Sequence, residues 1–549
     1  MTADLAGAVA RYERAGDPGL RWVWSGGAQD YPVLLRAGAR VARCHDVALV
    51  ERLLLARDGR GDEPASLAAA HARLRGEPPP AEPDAQAGGP GDLQGALFES
   101  GPAAAPDPAA TLEALVAVHA DQLRRIAADE HPGRFGALAA AESAGGLAAA
   151  EMTLAGMPWR ADVHDELLAG MLGPRPPAAL AGTRPARLTE LAGRISAALG
   201  GRPVNPDSPT QLVRALATAG VRVTSTRTSV LREIDHPAIP PLLEYKELSR
   251  LHAAHGWTWL DAWVRDGRFR PEYVVGGVVS GRWASRGGGA LQIPRVLRRA
   301  VVADPGWVLV VADAAQLEPR VLAALAGDRA FTEAAAGGDL YQGLASVFGG
   351  DRAKAKLALL SAMYGGAGGE AGQLLAVLRR RFPDASGYVE AAARAGEEGR
   401  VVRSALGRTC PPPSAAWRAL TEEAGDEAAE RDPGAGRASR ARGRFTRNFV
   451  VQASAADWAL VLLAALRRRL AALAGGPQEA VAGRWDPLAP HLVFFQHDEV
   501  LVHCPEAMAP AVVDAVAESA AEAGRALFGR TPVRFPMTTA VVSCYADAK

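Results

Sequence analysis

Two apolar strands that carry acidic residues constrain the fold more than any other feature of this sequence. The segment HLVFFQHDEVLVHCP (491–505) holds three polar residues between its apolar runs, namely His497, Asp498 and Glu499. The segment WVLVVADAAQLEPR (307–320) ends an apolar run at Asp313. Ionised carboxylates are costly to bury without a compensating partner. Considered alone, Asp313 indicates a helix cap and Asp498 a hairpin turn, so only the two strands together require another explanation.

A bound cation explains the two acidic strands. Two carboxylates that converge on a sheet surface repel each other unless a cation lies between them. Oxygen ligands, without a Cys or His cluster, favour magnesium. Two magnesium ions that stabilise the attacking and leaving oxygens are the known solution for phosphoryl transfer. The sequence therefore predicts a two-magnesium site at Asp313 and Asp498.

The segment DRAKAKLALLSAMYGG (351–366) offers the complementary chemistry. Every fourth residue of this predicted helix falls on one face, which carries Arg352, Lys356, Leu360 and Tyr364. An amphipathic surface helix whose cations extend to solvent is the commoner origin of such a face. The functional interpretation is that the two cations bind a triphosphate while the apolar and aromatic side chains face a base.

A third segment, RGRFTRNFVVQASAADWA (442–459), carries a polar stripe on a predicted helix. Arg444, Asn448 and Gln452 are four residues apart, and apolar neighbours indicate that they enter a half-buried site. A solvated stripe is the alternative. Donors of this kind can contact minor-groove acceptors that all base pairs share. The total charge balances at 61 basic and 61 acidic residues, so nucleic-acid binding must depend on a local patch, as in Arg437, Arg440, Arg442, Arg444 and Arg447.

The rest of the sequence indicates a cytoplasmic protein. Its four cysteines lie far apart with no CxxC pair, which argues against structural zinc and a disulfide framework. The first residues carry acids and do not resemble a signal peptide. No run approaches the roughly 18 apolar residues that a membrane helix needs, so no membrane contact is expected. A segment dense in Pro, Gly and acids (75–108) separates a small N-terminal piece from a large C-terminal body.

In this order, the segments resemble the DNA polymerases of family A, the DNA polymerase I family. VVADAAQLEPRVLAALAGD resembles motif A of that family, RAKAKLALLSAMYGG its motif B and QHDE its motif C. SGRWASRGGGALQIPR (280–295) resembles the segment before motif A, and VNPDSPTQL (204–212) the start of the thumb. The resemblance extends from about residue 150 to residue 549. With the polar stripe at 442–459 the ordered segments number six, and six are far more specific than any single short motif.

The resemblance implies a multidomain α+β protein with a right-hand polymerase fold. It places the polymerase domain at 111–549, after a disordered linker at 76–110. Its thumb would lie at about 150–270, its palm at 271–330 and 448–549, and its fingers at 331–447. The thumb and fingers would be mostly helical and the palm an antiparallel sheet. Residues 1–75 would be a degenerate remnant of an RNase H-like 3′–5′ exonuclease domain.

The resemblance also implies roles for individual residues. Asp313, Asp498 and the backbone carbonyl of Ala314 would bind two Mg²⁺ ions, with Glu499 as an auxiliary acid. Lys356 would contact the triphosphate and could protonate the leaving pyrophosphate. The remaining nucleotide-binding residues would be Arg352, Leu360, Tyr364, Gln316, Tyr341 and Glu318, the last as a steric gate against a ribose 2′-hydroxyl. The DNA-binding residues would be Arg282, Arg444, Asn448, Gln452 and His497.

Several positions depart from the family pattern. Ala314-Ala315 replaces a usual Tyr-Ser, Leu360 a usual aromatic residue, Tyr341 a usual histidine and Pro319 a usual apolar residue. The metal ligands are present while substrate contacts have changed. The sequence therefore predicts activity that is slow or specialised.

The N-terminal piece and the linker add two expectations. No paired-acid DxE strand precedes the part that resembles an exonuclease (44–76), so proofreading is not expected. The linker segment DLQGALFE resembles the peptide by which bacterial proteins dock on the sliding clamp, through Gln94, Leu97 and Phe98. A chance apolar pair in a biased linker is the alternative. Equal clamp affinity of the wild type and a Leu97→Ala/Phe98→Ala variant would exclude docking.

The predicted function is that of a monomeric DNA-templated DNA polymerase that uses primer-template DNA and deoxynucleoside triphosphates, with gap-filling repair as its pathway. Two alternatives remain open. The first is a polymerase-like nucleic-acid-binding protein with weakened catalysis, which Leu360 and Tyr341 support and the intact acids oppose. The second is a single-subunit RNA polymerase of phage type, which Glu318 and the His-Asp-Glu form of motif C oppose.

Overall fold

The chain divides into two compact units. The structure is a computed structural model that describes residues 2–81, 107–177, 183–286, 288–289, 293–364, 370–422, 433–473 and 483–548. The first unit comprises Met1–Ala155, Tyr273–Ala284 and Gly306–Val541. The second comprises Gly156–Glu272, Ser285–Pro305 and Val542–Lys549.

The strands of the described residues are short, with the longest in the first unit. In chain order they are β1 (Trp22–Trp24), β2 (Cys44–Asp46), β3 (Met157–Pro158), β4 (Val264–Arg265), β5 (Arg268–Phe269), β6 (Glu272–Val274), β7 (Ala284–Arg286), β8 (Trp307–Ala314), β9 (His491–Gln496), β10 (Glu499–Pro505) and β11 (Met537–Val542). The main sheet has the order β11-β8-β10-β9, and β10 is antiparallel to both β8 and β9. These four strands lie within the predicted palm segments.

Helices form most of the rest of the first unit. They are Thr2–Arg14, Gly27–Arg36, Val47–Arg57, Leu67–Leu74, Pro108–Ala127, Pro132–Ala155, Leu317–Ala326, Arg329–Ala336, Leu340–Ala345, Arg352–Tyr364, Glu370–Arg381, Pro383–Glu397, Ala415–Glu422, Pro433–Leu473 and Ala509–Phe528, with 3₁₀ turns at Ser346–Phe348 and Glu506–Met508. Apolar residues of β8, β9 and β10 pack with those of the two long helices Pro132–Ala155 and Pro433–Leu473 in one core. The sheet is therefore held on a helical support.

The second unit is built from helices and a small three-stranded sheet. Its helices are Ala161–Leu172, Ala186–Ala198, Pro209–Thr218, Thr228–Leu231, Ile239–His255 and Trp257–Trp263, with 3₁₀ turns at Arg295–Ala300 and Tyr545–Ala548. The sheet has the order β3-β5-β4. Its core contains a cluster of tilted aromatic rings, with Trp159 and Trp259 centroids 5.3 Å apart and Trp259 and Phe269 centroids 4.9 Å apart.

The compact units divide the chain differently from the predicted domains at three places. Residues 285–305 and 542–549, assigned by sequence to the palm, belong to the second unit. Arg160 N of that unit donates to Ala300 O at 2.7 Å, and Tyr545 N donates to Val301 O at 3.0 Å, so the first segment is bonded to the unit and the second segment to the first. Residues 1–75 are not a separate unit but part of the first. The predicted fingers–palm boundary at 448 falls inside the continuous helix Pro433–Leu473.

A buried ion pair explains why residues 1–75 belong to the first unit. Arg467 Nη2 donates to Glu151 Oε1 at 2.6 Å, and Tyr31 Oη donates to the same oxygen at 2.6 Å. Arg467 Nη1 also donates to Ala42 O at 2.9 Å. Since buried charges are stable only when paired and hydrogen-bonded, this cluster holds the N-terminal segment against the two long helices.

One helix among the described residues, Gly434–Leu473, is long and apolar enough to cross a membrane by length and composition alone. Its most apolar window is 83% buried inside the protein. The sequence prediction that no stretch is apolar enough for a membrane helix is therefore wrong. In the structure this helix is a core element of the first unit.

Two buried histidines predict that acid weakens both units. Burial lowers the pKa of His45, in the first unit, and of His164, in the second, to about 4. Between pH 6.5 and 4 the unfolded chain binds protons that the folded chain does not, so the free energy of unfolding falls as the pH falls. We expect each histidine to contribute a loss of about 1 kcal/mol at pH 5.5 relative to pH 7.5.

Urea unfolding at pH 7.5 and 5.5 measures this loss. His45 Nε2 lies 2.8 Å from Gln122 Oε1, so His45→Asn keeps a hydrogen-bonding side chain without a group that titrates in this range. That variant should lose less stability between the two pH values than the wild type does. An equal loss in both proteins would contradict the assignment to His45.

Candidate active site

The register of the main sheet brings the predicted acids together. Strand β10 is paired with β8 so that Glu499 is opposite Asp313, and directly opposed residues of antiparallel strands point to the same face. The N–H of Ala314 donates to the carbonyl of Asp498 at 3.0 Å. The backbones of Asp313 and Asp498 therefore lie close together at one end of the sheet, and the side chain of Glu499 shares the face of Asp313.

The turn between β9 and β10 positions Asp498. His497 occupies this turn with φ of +57°, a left-handed conformation in which His is found more often than most residues. Burial lowers the pKa of His497, and the nearby charge of Arg282 lowers it further. The charge of Glu318 opposes this shift.

The donor set at this end of the sheet fits a hard divalent cation. It consists of the carboxylates of Asp313 and Asp498 and the carbonyl of Ala314, all oxygen ligands of the type that Mg²⁺ prefers. Within the described ranges, no group of three or more His, Cys, Asp or Glu side chains is arranged to hold a metal ion. Glu499 is 4% exposed. Further ligands would have to come from substrate or water, as is usual for Mg²⁺.

Glu318 joins residues that the sequence assigned to two different ligands. Its carboxylate accepts hydrogen bonds from the guanidinium of Arg282 and from the hydroxyl of Tyr364. Burial raises the pKa of Tyr364, and the hydrogen bond to Glu318 raises it further, while a contact with Gln452 opposes the shift. The predicted DNA-binding residues Arg282 and Gln452 therefore meet the predicted nucleotide-binding residues Glu318 and Tyr364.

The face of the helix Arg352–Tyr364 that was predicted to bind nucleotide is its more exposed face. Arg352, Lys356 and Tyr364 are exposed and Leu360 is half-buried, whereas the opposite face packs in the core through Ala355, Ala358, Leu359 and Met363. The two glycines that were predicted to end this helix, Gly365 and Gly366, lie outside the described residues.

An aspartate that sequence reasoning missed organises this face. Arg352 Nε donates to Asp339 Oδ2 at 2.7 Å, and the Arg352 guanidinium lies 5.4 Å from the ring centroid of Tyr341. Gln316 Nε2 donates to Asp339 Oδ1 at 2.7 Å, while Gln316 Oε1 accepts from Leu340 N at 2.8 Å. Burial alone would raise the pKa of Asp339, but the hydrogen bonds from Arg352 and Gln316 lower it.

The sequence contained a signal for Asp339. An Asp directly before an apolar helical segment is a common N-cap, and Asp339 Oδ1 accepts from Tyr341 N at 2.9 Å. The cap explains why Asp339 is present but not its bond with Arg352, because the two residues are separated in sequence by 13 positions.

Asn448 contacts the backbone of the helix that carries Tyr364. With its amide oriented to donate, its nitrogen lies 2.8 Å from Met363 O and 3.3 Å from Arg444 O. Arg444 is exposed and Gln452 half-buried. The predicted polar stripe therefore borders the same site, with Asn448 linking two helices.

The N-terminal piece has a different kind of acid. Asp46, at the end of β2, is 3% exposed, and its carboxylate accepts from Gly27 N at 2.7 Å and Leu49 N at 3.0 Å. Burial raises the pKa of this carboxyl. Asp46 is thus used as a helix cap. The predicted clamp-binding residues Gln94, Leu97 and Phe98 lie outside the described residues.

Comparison with known proteins identifies the family of this chain. A family model for DNA polymerase family A matches residues 179–541. "DNA polymerase I, thermostable" of Thermus filiformis is 29% identical over 358 residues, which cover 56% of this chain and 38% of the relative. "DNA polymerase I" of Chloroflexus aurantiacus is 28% identical over 316 residues, which cover 51% and 30%. The chain thus spans well under half of the length of these relatives.

A solved structure shares the fold. It is the "POL domain of Pol1 from M. smegmatis complex with DNA primer-template and dNTP", with a TM-score of 0.67 at 18% sequence identity. The alignment covers 91% of this chain and 82% of that chain.

Proposed function

Because the chain belongs to DNA polymerase family A, we propose that it extends the 3′ end of a DNA primer by adding deoxynucleotides that a template strand selects. The observation that carries the proposal is the register that sets Asp313 opposite Glu499, with the carbonyl of Asp498 bonded to Ala314 N. This arrangement concentrates oxygen ligands at one end of a sheet, as in-line phosphoryl transfer requires.

Asp313, Asp498 and the carbonyl of Ala314 would hold two Mg²⁺ ions. When bound, these ions would supply charge stabilisation for the attacking and leaving oxygens. Glu499, opposite Asp313, adds negative charge to the same face. The exposed ammonium of Lys356 would contact the triphosphate and donate a proton to the departing pyrophosphate.

The nucleotide would lie along the exposed face of the helix Arg352–Tyr364. Arg352 binds phosphate oxygens, and Leu360 and Tyr364 face the base. Gln316 supports Arg352 through Asp339, and the ring of Tyr341 lies against the Arg352 guanidinium. Glu318 crowds the position of a ribose 2′-hydroxyl. Its hydrogen bonds with Arg282 and Tyr364 hold its carboxylate at that position.

The DNA duplex would contact the polar stripe beside the acids. Arg282, Arg444 and Gln452 supply donors of the kind that minor-groove acceptors accept. Asn448 holds the stripe against the nucleotide-binding helix, and His497 lies next to the primer terminus. Arginines at 437, 440 and 447 extend the basic surface along the phosphate backbone.

Further proposals concern the whole protein. Asp46 is a helix cap, and the strand before it, β1 (Trp22–Trp24), contains no acid, which supports a lack of 3′–5′ proofreading in a remnant exonuclease domain. Gap-filling repair, a monomeric state, a cytoplasmic location and docking of the linker on a sliding clamp stay predictions.

Primer extension with purified protein tests the proposal. We expect a labelled primer on a longer template to be extended with four deoxynucleoside triphosphates and Mg²⁺, and far less with four ribonucleoside triphosphates. Faster extension with ribonucleotides would favour the RNA polymerase alternative. Tight primer-template binding without extension would favour the binding protein with weakened catalysis. Shortening of a single-stranded 3′ end would contradict the absence of proofreading.

A further inference from the structure

Arg320, in the helix that follows β8, is a buried cation with an unusual set of partners. Its side chain is fully buried at 0% exposure. Nε donates to Ala315 O at 2.9 Å. Nη1 donates to Ala335 O at 2.5 Å and Arg534 O at 3.0 Å, and Nη2 donates to Gly337 O at 3.1 Å and Gly338 O at 2.6 Å. A guanidinium has five N–H groups, and here five main-chain carbonyls accept them.

Arg320 makes no ion pair with a carboxylate in the part of the chain that the structure describes. Burial lowers its pKa, and the charge of Asp339 opposes the shift. The end of the helix Arg329–Ala336 offsets part of the cost of burying the Arg320 charge, because its free carbonyls carry partial negative charge. An apolar side chain often stabilises a core at least as well as a buried charge does. The five hydrogen bonds of Arg320 therefore indicate that it fixes the positions of the segments that it joins, in addition to any contribution to stability.

The five carbonyls come from segments next to the proposed metal ligands and next to the proposed triphosphate-binding face. Ala315 directly follows Ala314, whose carbonyl is the proposed metal ligand. Gly337 and Gly338 directly precede Asp339, which holds Arg352 and Gln316. Arg534 lies just before β11, the neighbour of β8 in the sheet. One planar guanidinium thus joins the metal end of β8 to the loop that supports the triphosphate-binding arginine.

We propose that Arg320 is a positioning residue that sets the distance between the metal ligands and the triphosphate-binding face, so that the α-phosphate meets the metal site while Arg352 holds the distal phosphates. This inference rests on the proposed polymerase function. Because the guanidinium is rigid and bonded on every N–H, the loop at 337–339 cannot shift without breaking several hydrogen bonds at once.

Substitution of Arg320 tests the proposal through the binding of nucleotide. We expect Arg320→Met to raise the KM for deoxynucleoside triphosphate and to lower kcat, with Arg320→Lys giving a smaller loss of about tenfold in kcat/KM, because small misplacements of reacting groups cost one to two orders of magnitude in rate. The dissociation constant for primer-template should stay within about twofold, since the hydrogen bonds of the Arg320 side chain among the described residues go to main-chain carbonyls outside the predicted DNA-binding set. Lysine keeps the positive charge but has three N–H donors instead of five. Arg320→Lys therefore tests the proposal if Arg320→Met does not fold.

Arg467→Lys is the matched control. Arg467 is also an almost fully buried arginine of the same unit, but its partners are Glu151, Tyr31 and the carbonyls of Val41 and Ala42. Measured well below the unfolding transition of each variant, it should leave the nucleotide KM unchanged. An equal rise of KM in Arg320→Lys and Arg467→Lys would reduce Arg320 to a general core residue.

Hydrogen exchange gives a readout that does not depend on activity. Amides in peptides covering 337–345 should exchange faster in Arg320→Lys than in the wild type, and remain unchanged in Arg467→Lys. If the wild type extends no primer, the proposed function fails, while the exchange data still judge the positioning role. Unchanged exchange together with an unchanged KM in Arg320→Lys would overturn the inference.

Discussion

Asp498→Asn should abolish primer extension while leaving the fold intact. Asparagine has nearly the shape of aspartate but lacks the negative charge that binds Mg²⁺. A metal ion contributes several kcal/mol to the stabilisation of a transition state at phosphorus, so we expect kcat to fall by about 1000-fold or more, equivalent to about 4 kcal/mol. The backbone bond between Asp498 O and Ala314 N does not involve the side chain and would persist.

The measurement is single-turnover extension of a labelled primer by wild type and variant at equal primer-template occupancy. Asp514→Asn is a matched control, because Asp514 is an exposed residue of the helix Ala509–Phe528 and is not a predicted metal ligand. It should extend primers at the wild-type rate. Persistent extension by Asp498→Asn would refute the assignment of the metal site, and a shifted unfolding transition would show that the fold had changed instead.

Arg408→Met should destabilise the first unit more than any substitution of a surface charge. Arg408 is 6% exposed, and its guanidinium donates to Glu142 Oε2 at 2.7 Å and to Asp457 Oδ1 at 3.0 Å. Burial raises the pKa of Asp457, and Arg408 opposes that shift. Methionine would leave two buried carboxylates without their cation, which costs about 3–5 kcal/mol.

The position of Arg408 makes the effect reach the candidate site. Gly281 packs so closely on Arg408 that an added Cβ would lie 2.3 Å from Nε. Gly281 is followed by Arg282, the partner of Glu318. Loss of Arg408 therefore removes the support beneath the segment that carries Arg282.

Urea unfolding followed by circular dichroism measures the loss of stability. Arg329→Met removes an exposed arginine paired with Glu333, at 93% and 66% side-chain exposure, and should change the free energy of unfolding by less than about 1 kcal/mol. Adding Glu142→Gln and Asp457→Asn to Arg408→Met should restore part of the stability, since the charges that lost their partner are then gone. A urea midpoint for Arg408→Met equal to that of Arg329→Met would show that the cluster of Arg408, Glu142 and Asp457 contributes nothing to stability.

The local apolar pattern of the sequence was sufficient to predict the helix and strands that build the candidate site. The helix Arg352–Tyr364 and the strands β8, β9 and β10 lie where the apolar pattern predicts them, because that pattern is local and has the period of the element. The order of the motifs also indicated the family. The antiparallel pairing followed from the resemblance, whereas the register that sets Glu499 opposite Asp313 required the structure.

Domain boundaries were less accessible from sequence. The helix Pro433–Leu473 crosses the predicted boundary at 448, because nothing in the local pattern ends a helix there. Residues 1–75 join the first unit through Tyr31 and Arg467, whose contact spans 436 positions. Such a contact has no local signature.

The sequence by itself determined which residues can do chemistry: two acids on apolar strands, a cationic helical face and a polar stripe, each encoded within a few residues. Only the tertiary structure decided which side chains are shared between them. Glu318 meets Arg282 and Tyr364, Asp339 holds Arg352, and Arg320 reaches Arg534 across 214 positions. The physical reason is that a buried polar group must find its partner wherever the packed chain supplies one, and the distance along the sequence does not enter that requirement.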